Sequence, residues 1–234
     1  MSPRKAAVLQ ADGGDRTLRE HLIATAERLI AEHGTAGLTV RAIAREARVA
    51  DGVLYNHFAD KEELLALALH AHVRSVERSL AEPPRRAGEG DLDANLRAYI
   101  AYGVALHLAI LPAFAGLLHQ PTVLARFAGL PNPMAGGRGL LDELAEYLRA
   151  ERRLGRLAPD AGVEAAATLI VGACHQLVLP RLLTGAPASF EPIPDDVIDD
   201  LTQTVLNGIA LPPGSDTSGA GPAQPHASEL RRDQ

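Results

Sequence analysis

The chain has 234 residues, 47% apolar and 22% charged, which is enough apolar material for one large domain or two small ones. No stretch approaches the roughly 20 uncharged apolar residues that span a bilayer, and residues 1–10 lack the apolar core of a signal peptide. A cytoplasmic protein without membrane contact is expected. The single cysteine, Cys174, excludes a disulfide framework and a cysteine-rich zinc site and reads as a small buried hydrophobe. A net charge of −6 argues against general nucleic-acid binding, so charge has to be read by region. Only Lys5 and Lys61 are lysines among 23 basic residues. That arginine excess reads as coding background and makes Lys61 stand out.

Residues 1–16 are polar and aperiodic, an expected disordered arm. Leu18, Leu22, Ala26, Leu29 and His33 recur at steps of four or three, which predicts a helix over 17–33 ended by Gly34. Thr39 suits the N-cap of a short helix with Val40, Ile43, Ala44 and Ala47 on its apolar face. After a break at 48–50, a second short segment carries Leu54, Tyr55 and Phe58. Asp60 with Glu63 is a capping-box pattern that opens a long helix reaching about Leu80. The charged, Pro/Gly-rich run 82–90 is the clearest internal boundary.

Beyond it, helical patterns cover 91–110, 112–128, 137–154, 160–184 and 194–210. They are separated by Pro112, by Pro131 with Pro133, by Gly155 with Pro159, and by Gly185 with Pro187. Residues 212–234 turn to Pro, Gly, Ser and charge, and cannot bury enough surface to offset their ordering entropy. Nothing reads as a strand. The expected fold class is all-α, with a disordered arm (1–16), a three-helix N-terminal unit (17–60), a helical body entered through a connecting helix (61–211), and a disordered tail (212–234).

The informative stretch is LTVRAIAREARVADGVLYNHFADKEELL, residues 38–65. Two short helices joined by three or four residues make a helix-turn-helix pattern. The second helix of such a unit fits a DNA major groove while the first braces it across the backbone. Val40, Ile43, Ala47, Val49, Leu54 and Phe58 are expected to face a core shared with the first helix. Gly52, Val53, Asn56 and His57 are then left facing outward.

At these residues the sequence resembles the DNA-binding domain of the TetR (tetracycline repressor) family of bacterial transcription regulators. The likeness runs from Leu18 to Leu65. It rests on Ala24 to Gly34, Leu38-Thr39-Val40, Ile43-Ala44, Gly52, Leu54-Tyr55, His57-Phe58 and Lys61-Glu62-Glu63-Leu64. The resemblance implies a second helix over 39–46 and a recognition helix over 50–57 on a double-stranded DNA operator. Thr39 would contact a phosphate through its hydroxyl, its backbone N–H or both, with Arg41 reaching the same strand. Tyr55 and His57 would donate to phosphates, and Lys61 would do so from the start of the following helix. Such contacts fix register and affinity without reading sequence. Gly52, Val53 and Asn56 are the candidates for base edges, Asn56 pairing with adenine and Val53 touching a thymine methyl.

The alternatives are Tyr55 packed on the first helix, His57 as a solvated helix end, and Asn56 as a plain surface residue. Arg41, Arg45 and Arg48 also fit the coding bias. Three residues depart from the family pattern. Arg48, itself a candidate DNA contact, stands where the turn usually has glycine, at a cost of about 1 kcal/mol if left-handed. Ala50 replaces the usual Ser or Thr cap, a loss of typically ~1 kcal/mol. Asp51 suits the positive end of a helix but would sit near phosphates. Residues 38–61 carry one net positive charge. A helical dimeric scaffold with weak or lost DNA binding therefore stands as the alternative function.

The resemblance further implies an effector-binding and dimerisation body whose last two helices, 160–184 and 194–210, form a four-helix bundle with a partner's. The run AAATLIVGACHQLVLPRLL is apolar nearly all round, as a helix between a pocket and a partner should be. A homodimer sets two recognition helices about one DNA turn apart, hence a pseudo-palindromic operator. An effector pocket is expected among 91–128, 137–154 and 160–180. Its candidate lining is Tyr99, Tyr102, His107, Phe114, His119, Phe127, Tyr147, His175 and Gln176. Few aromatics and few charges favour a small, mostly apolar effector.

No cofactor, metal or enzyme activity is expected. Cys174 and His175 are adjacent and so point about 100° apart on a helix. His70 and His72 diverge, and no Gly-rich phosphate loop is present. Release from DNA is expected to be a population shift carried by the connecting helix 60–80.

Overall fold

The computed structural model describes residues 17–80, 86–134, 137–183 and 192–207. The expected arm and tail lie outside the described residues. In chain order the helices are α1 (Leu18–His33), α2 (Val40–Glu46), a 3-10 helix (Asp51–Asn56), α3 (Lys61–Ser79), α4 (Leu92–Ala115), α5 (Pro121–Ala128), α6 (Leu140–Arg153), α7 (Val163–Leu183) and α8 (Asp195–Asn207). The fold is all-α.

Side-chain caps set several of the starts. Thr17 and Glu20 form a reciprocal capping box on α1, and Thr39 accepts from the Ala42 N–H at the start of α2. Asp60 caps α3 by accepting from the Glu63 N–H. Glu63 returns a bond to the N–H of Ala59 at 2.7 Å, one residue upstream of a standard box.

Two cores form. The N-terminal one gathers Leu22, Ala26 and Ile30 of α1, Ile43, Ala44 and Ala47 around α2, then Leu54, Phe58, Leu64, Leu65 and Leu69. It also takes in Ala113, Leu117 and Val123, so the ends of α4 and α5 help to build it. The second core is made by α4, α6, α7 and α8, with Leu96, Ile100, Leu106, Leu144 and Ile170 among its members.

Pro112 does not separate two helices as expected. It lies inside α4, which continues to Ala115 before turning at Gly116. A proline in a helix interior costs about 3 kcal/mol. Packing offsets it, because α4 buries Leu96, Ile100 and Leu106 in one core and Ala113 in the other.

The count of apolar runs also needs correction. Leu92–Ala115 and Val163–Leu182 are each long and apolar enough to cross a membrane by length and composition. α4 is apolar because it serves two cores. On α7 an apolar strip instead remains exposed, with Leu169 at 68%.

Candidate nucleic-acid interface and apolar cavity

The candidate DNA-facing surface is assembled on α2, the 3-10 helix and the start of α3. Thr39 is extended (φ −115°, ψ 154°) and exposed. Its Oγ1 accepts from the Ala42 N–H at 3.1 Å, which leaves the hydroxyl hydrogen available to donate. The turn after α2 needs a left-handed residue, and Arg48 supplies it at φ 57°. Ala50 offers no side-chain oxygen to the following N–H groups. The segment after it forms a six-residue 3-10 helix over Asp51–Asn56, in place of the expected helix over 50–57. Uncapped first-turn donors and tight i→i+3 bonding go together.

This helix buries Leu54 and, just beyond it, Phe58, while Gly52, Tyr55 and Asn56 are exposed and Val53 and His57 half-buried. Tyr55 is 62% exposed and so is not packed on α1. Tyr55 and Lys61 both border one shallow crevice with Val40, Phe58 and Leu64. Arg41 pairs with Asp51 at 3.4 Å on the open surface.

Two arginines that sequence reasoning passed over hold this surface in place. Arg19 of α1 donates to Glu63 at 2.8 Å and lies 4.9 Å over the Phe58 ring, joining α1 to the corner before α3. Arg126 of α5 donates to both oxygens of Asp60, at 2.5 and 2.6 Å. The Glu63 N–H and then Arg126 hold the Asp60 carboxyl below its usual range. The arginine excess in the sequence concealed both.

The N-terminal unit also meets α4 directly. The Thr35 hydroxyl, fully buried, donates to the Ala113 carbonyl at 2.6 Å. A Cβ on Gly116 would collide with Thr35 Oγ1 and lie 2.8 Å from the Ala36 nitrogen. Only glycine permits that approach.

In the body, the nine candidate lining residues are dispersed. Tyr99, Tyr102, His107 and Tyr147 are core residues. Tyr99 and Tyr147 meet at a tilt of 41° with ring centroids 4.8 Å apart, and Asn95 donates to the Tyr147 hydroxyl at 3.0 Å. His107 holds the Gly103 carbonyl at 2.5 Å through Nδ1 and meets His175 Nε2 at 3.1 Å through its own Nε2. Burial, the main cause, pushes the His107 imidazole below its usual range. Phe114 and Phe127 meet edge-to-face at 5.2 Å between the two cores, and His119, His175 and Gln176 are exposed.

An apolar cavity of 660 Å³ opens instead among α4, α6, α7 and α8, and none of the nine lines it. Its walls include Leu96, Ile100, Leu148, Ile170 and Val205. Bulky residues suggested a ligand site in the sequence, but bulky residues fill space. The void forms where α7 and the turn before it carry alanine and glycine.

Sequence reasoning also missed Glu151, which is fully buried. Its Oε1 accepts from the Gly88 N–H at 3.2 Å, and Oε2 lies 3.3 Å from Arg156, whose other nitrogen donates to the Gly90 carbonyl at 2.7 Å. The pair ties the segment before α4 to the end of α6. Burial, then Glu151, pushes the Tyr147 hydroxyl well above the ordinary phenol range.

Residues 22–68 match the family model for bacterial regulatory proteins, tetR family. The transcriptional regulator BetI of Stenotrophomonas maltophilia is 31% identical over 117 residues, covering 47% of this chain and 59% of its own length. The repressor NemR of Escherichia coli is 32% identical over 81 residues, covering 35% and 40%. The chain thus spans less than two thirds of the curated relatives it matches. The solved structure of the TetR family transcription regulator SCO0332 aligns over 84% of this chain and 100% of that one, with 25% identity and a TM-score of 0.53.

Proposed function

We propose, because residues 22–68 match the family model for bacterial regulatory proteins of the tetR family, that the chain is a member of that family and a homodimeric, sequence-specific DNA-binding repressor released by a small-molecule effector. The supporting observation is the surface formed by Thr39, Gly52, Tyr55, Asn56 and Lys61. All five are exposed or partly so, on a scaffold whose inner residues, Ile43, Leu54, Phe58 and Leu64, are buried. Thr39, Tyr55, His57 and Lys61 take phosphates, and Arg48 and Arg41 flank them once Arg41 leaves Asp51. Gly52 lets the backbone approach the groove, while Val53 and Asn56 meet base edges.

Dimerisation uses α7 and α8. Between Glu164 and Arg181 helix α7 has no charged residue, and Ala165, Leu169, Gly172 and Leu179 are exposed along it. A partner's helices would bury this strip. Effector binding then favours a spacing of the two recognition surfaces that does not fit the operator. DNA must weaken effector binding by the same factor. The protein acts in the cytoplasm, without a cofactor and without catalysis.

Selection of bound sequences from a random duplex pool, at low and physiological salt, tests this reading. An enriched inverted repeat is expected. A folded dimer that enriches nothing would replace it with the interaction-scaffold reading, which the Arg41–Asp51 pair and the uncapped 3-10 helix favour.

A further inference from the structure

The cavity in the body has a sequence cause. Ala158, Ala161, Gly162, Ala165, Ala166 and Ala173 stand around it, where larger side chains would close the space. Its floor is Leu96, Ile100 and Leu148, each no more than 2% exposed. The void therefore reaches into the core and is more than a surface furrow. An engineered cavity of ~150 Å³ already holds a benzene, and small-molecule sites run to roughly 300–1,000 Å³. At 660 Å³ this one falls within the second range. Thr204 provides the lone side-chain hydroxyl of the lining, and no ionisable side chain among the described residues borders it. A carboxylate or phosphate placed there would lose its hydration without gaining a cation.

The mouth points to the second feature. Its exposed lining lies on the turn before α7, at Ala158 and Gly162, and on α7 and α8, the two helices assigned above to the dimer. The rim residues Ala165, Leu169 and Thr204 are exposed in the protomer. A ligand held by one protomer would leave its outer side and Leu169 in water.

We propose that this cavity binds an uncharged, largely aliphatic small molecule and that the partner subunit closes its mouth, so that the site is complete only in the dimer. The inference rests on the dimeric, effector-responsive reading given above. It implies a definite coupling: dimerisation tightens the ligand, and the ligand tightens the dimer by the same factor.

The test uses the full chain and the uncharged dye N-phenyl-1-naphthylamine, titrated by fluorescence across a protein dilution series with sedimentation run in parallel. Saturable binding that follows the dimer fraction is expected, at least about tenfold weaker once the dimer has dissociated. Ala166→Phe and Ala173→Leu should each weaken the dye by about tenfold or more while sedimentation still reports a dimer. Gly172→Glu lies outside the cavity lining, and a Cβ there meets nothing within 4 Å in the protomer. It should give a folded monomer that binds the dye weakly.

Equal affinity in the Gly172→Glu monomer would overturn the role given to the partner. Equal or tighter binding of the anionic 8-anilino-1-naphthalenesulfonate would overturn the ligand class. A wild-type dimer that ignores the dye, or cavity-filling variants that bind it unchanged, would overturn the site itself and leave the DNA-binding reading standing. A wild-type chain that is monomeric throughout would instead overturn the dimer proposed above.

Discussion

Arg126 and Asp60 are 66 residues apart in sequence and joined by two parallel hydrogen bonds, one from each terminal nitrogen of the guanidinium. Asp60 caps α3, and the next residue is Lys61, so the body holds the helix end that presents a candidate phosphate contact. Fork-to-fork geometry fixes direction as well as distance. Arg126→Ala should weaken operator binding by roughly threefold to tenfold with the secondary structure unchanged. Asp60→Asn, which keeps a capping oxygen, should do the same, and the double variant should lose little more. Fluorescence anisotropy on a labelled operator measures all three. Additive losses would show that the pair does not act as a unit.

Phosphate and base contacts separate by their salt and sequence signatures. Tyr55→Phe and Lys61→Ala should weaken specific and non-specific duplexes alike. Lys61→Ala should also reduce the slope of log affinity against log salt by about one. Asn56→Ala should instead relax preference at one position of each half-site, at a cost of roughly 1–3 kcal/mol on the best sequence. Unchanged binding in Tyr55→Phe and Lys61→Ala would remove the phosphate roles given to them.

The left-handed Arg48 and the uncapped Ala50 are two places where the sequence gives up stability. Arg48→Gly removes the penalty of a Cβ at φ 57°, about 1 kcal/mol. Ala50→Ser supplies an oxygen to the orphan donors of the 3-10 helix, for up to ~1 kcal/mol. Each should raise Tm by about 2–4 °C per kcal/mol in a domain of this size, read by calorimetry. A fall in Tm for Arg48→Gly would mean that its side chain contributes more than its backbone costs.

Acid should destabilise the fold through two histidines. His72 and His107 are both buried, and burial is the first cause that lowers each imidazole. Glu27 opposes the shift at His72, whereas His175 adds to it at His107. With the folded value below the unfolded one near 6.5, the unfolded chain binds more protons. Stability is full above about pH 6.5 and falls as the pH drops through that value towards the lowered ones. The urea midpoint should therefore decline between pH 7.5 and 5, and His72→Gln with His107→Gln should flatten the decline. An equal slope in the double variant would place the acid sensitivity elsewhere.

Helix starts were legible in the sequence because caps are local. Thr17, Thr39 and Asp60 each act on a backbone N–H three residues ahead. The split at Pro112 was misread because a local penalty was outweighed by two cores that no window of sequence displays. The nine candidate lining residues do not border the apolar cavity for a related reason. Tyr99 and Tyr147 attract notice as ligand contacts, yet each occupies volume, whereas a cavity is recorded by small residues that resemble ordinary helix formers. The hold of Arg126 on Asp60 has no sequence signal, since 20 other arginines share its appearance.

The N-terminal core is completed by Ala113, Leu117 and Val123, and Thr35 rests against a position where only glycine leaves room. A fragment cut after Ser79 would carry away α1, α2 and most of their packing while leaving Ala113, Leu117 and Val123 of its own interior behind. The N-terminal unit is therefore not a cassette. Grafted onto a body without a glycine against Thr35 or an arginine opposite Asp60, it would lose both contacts. The seam would fail in packing before any question of signalling arose, so the piece that recombination can move intact is the whole protomer.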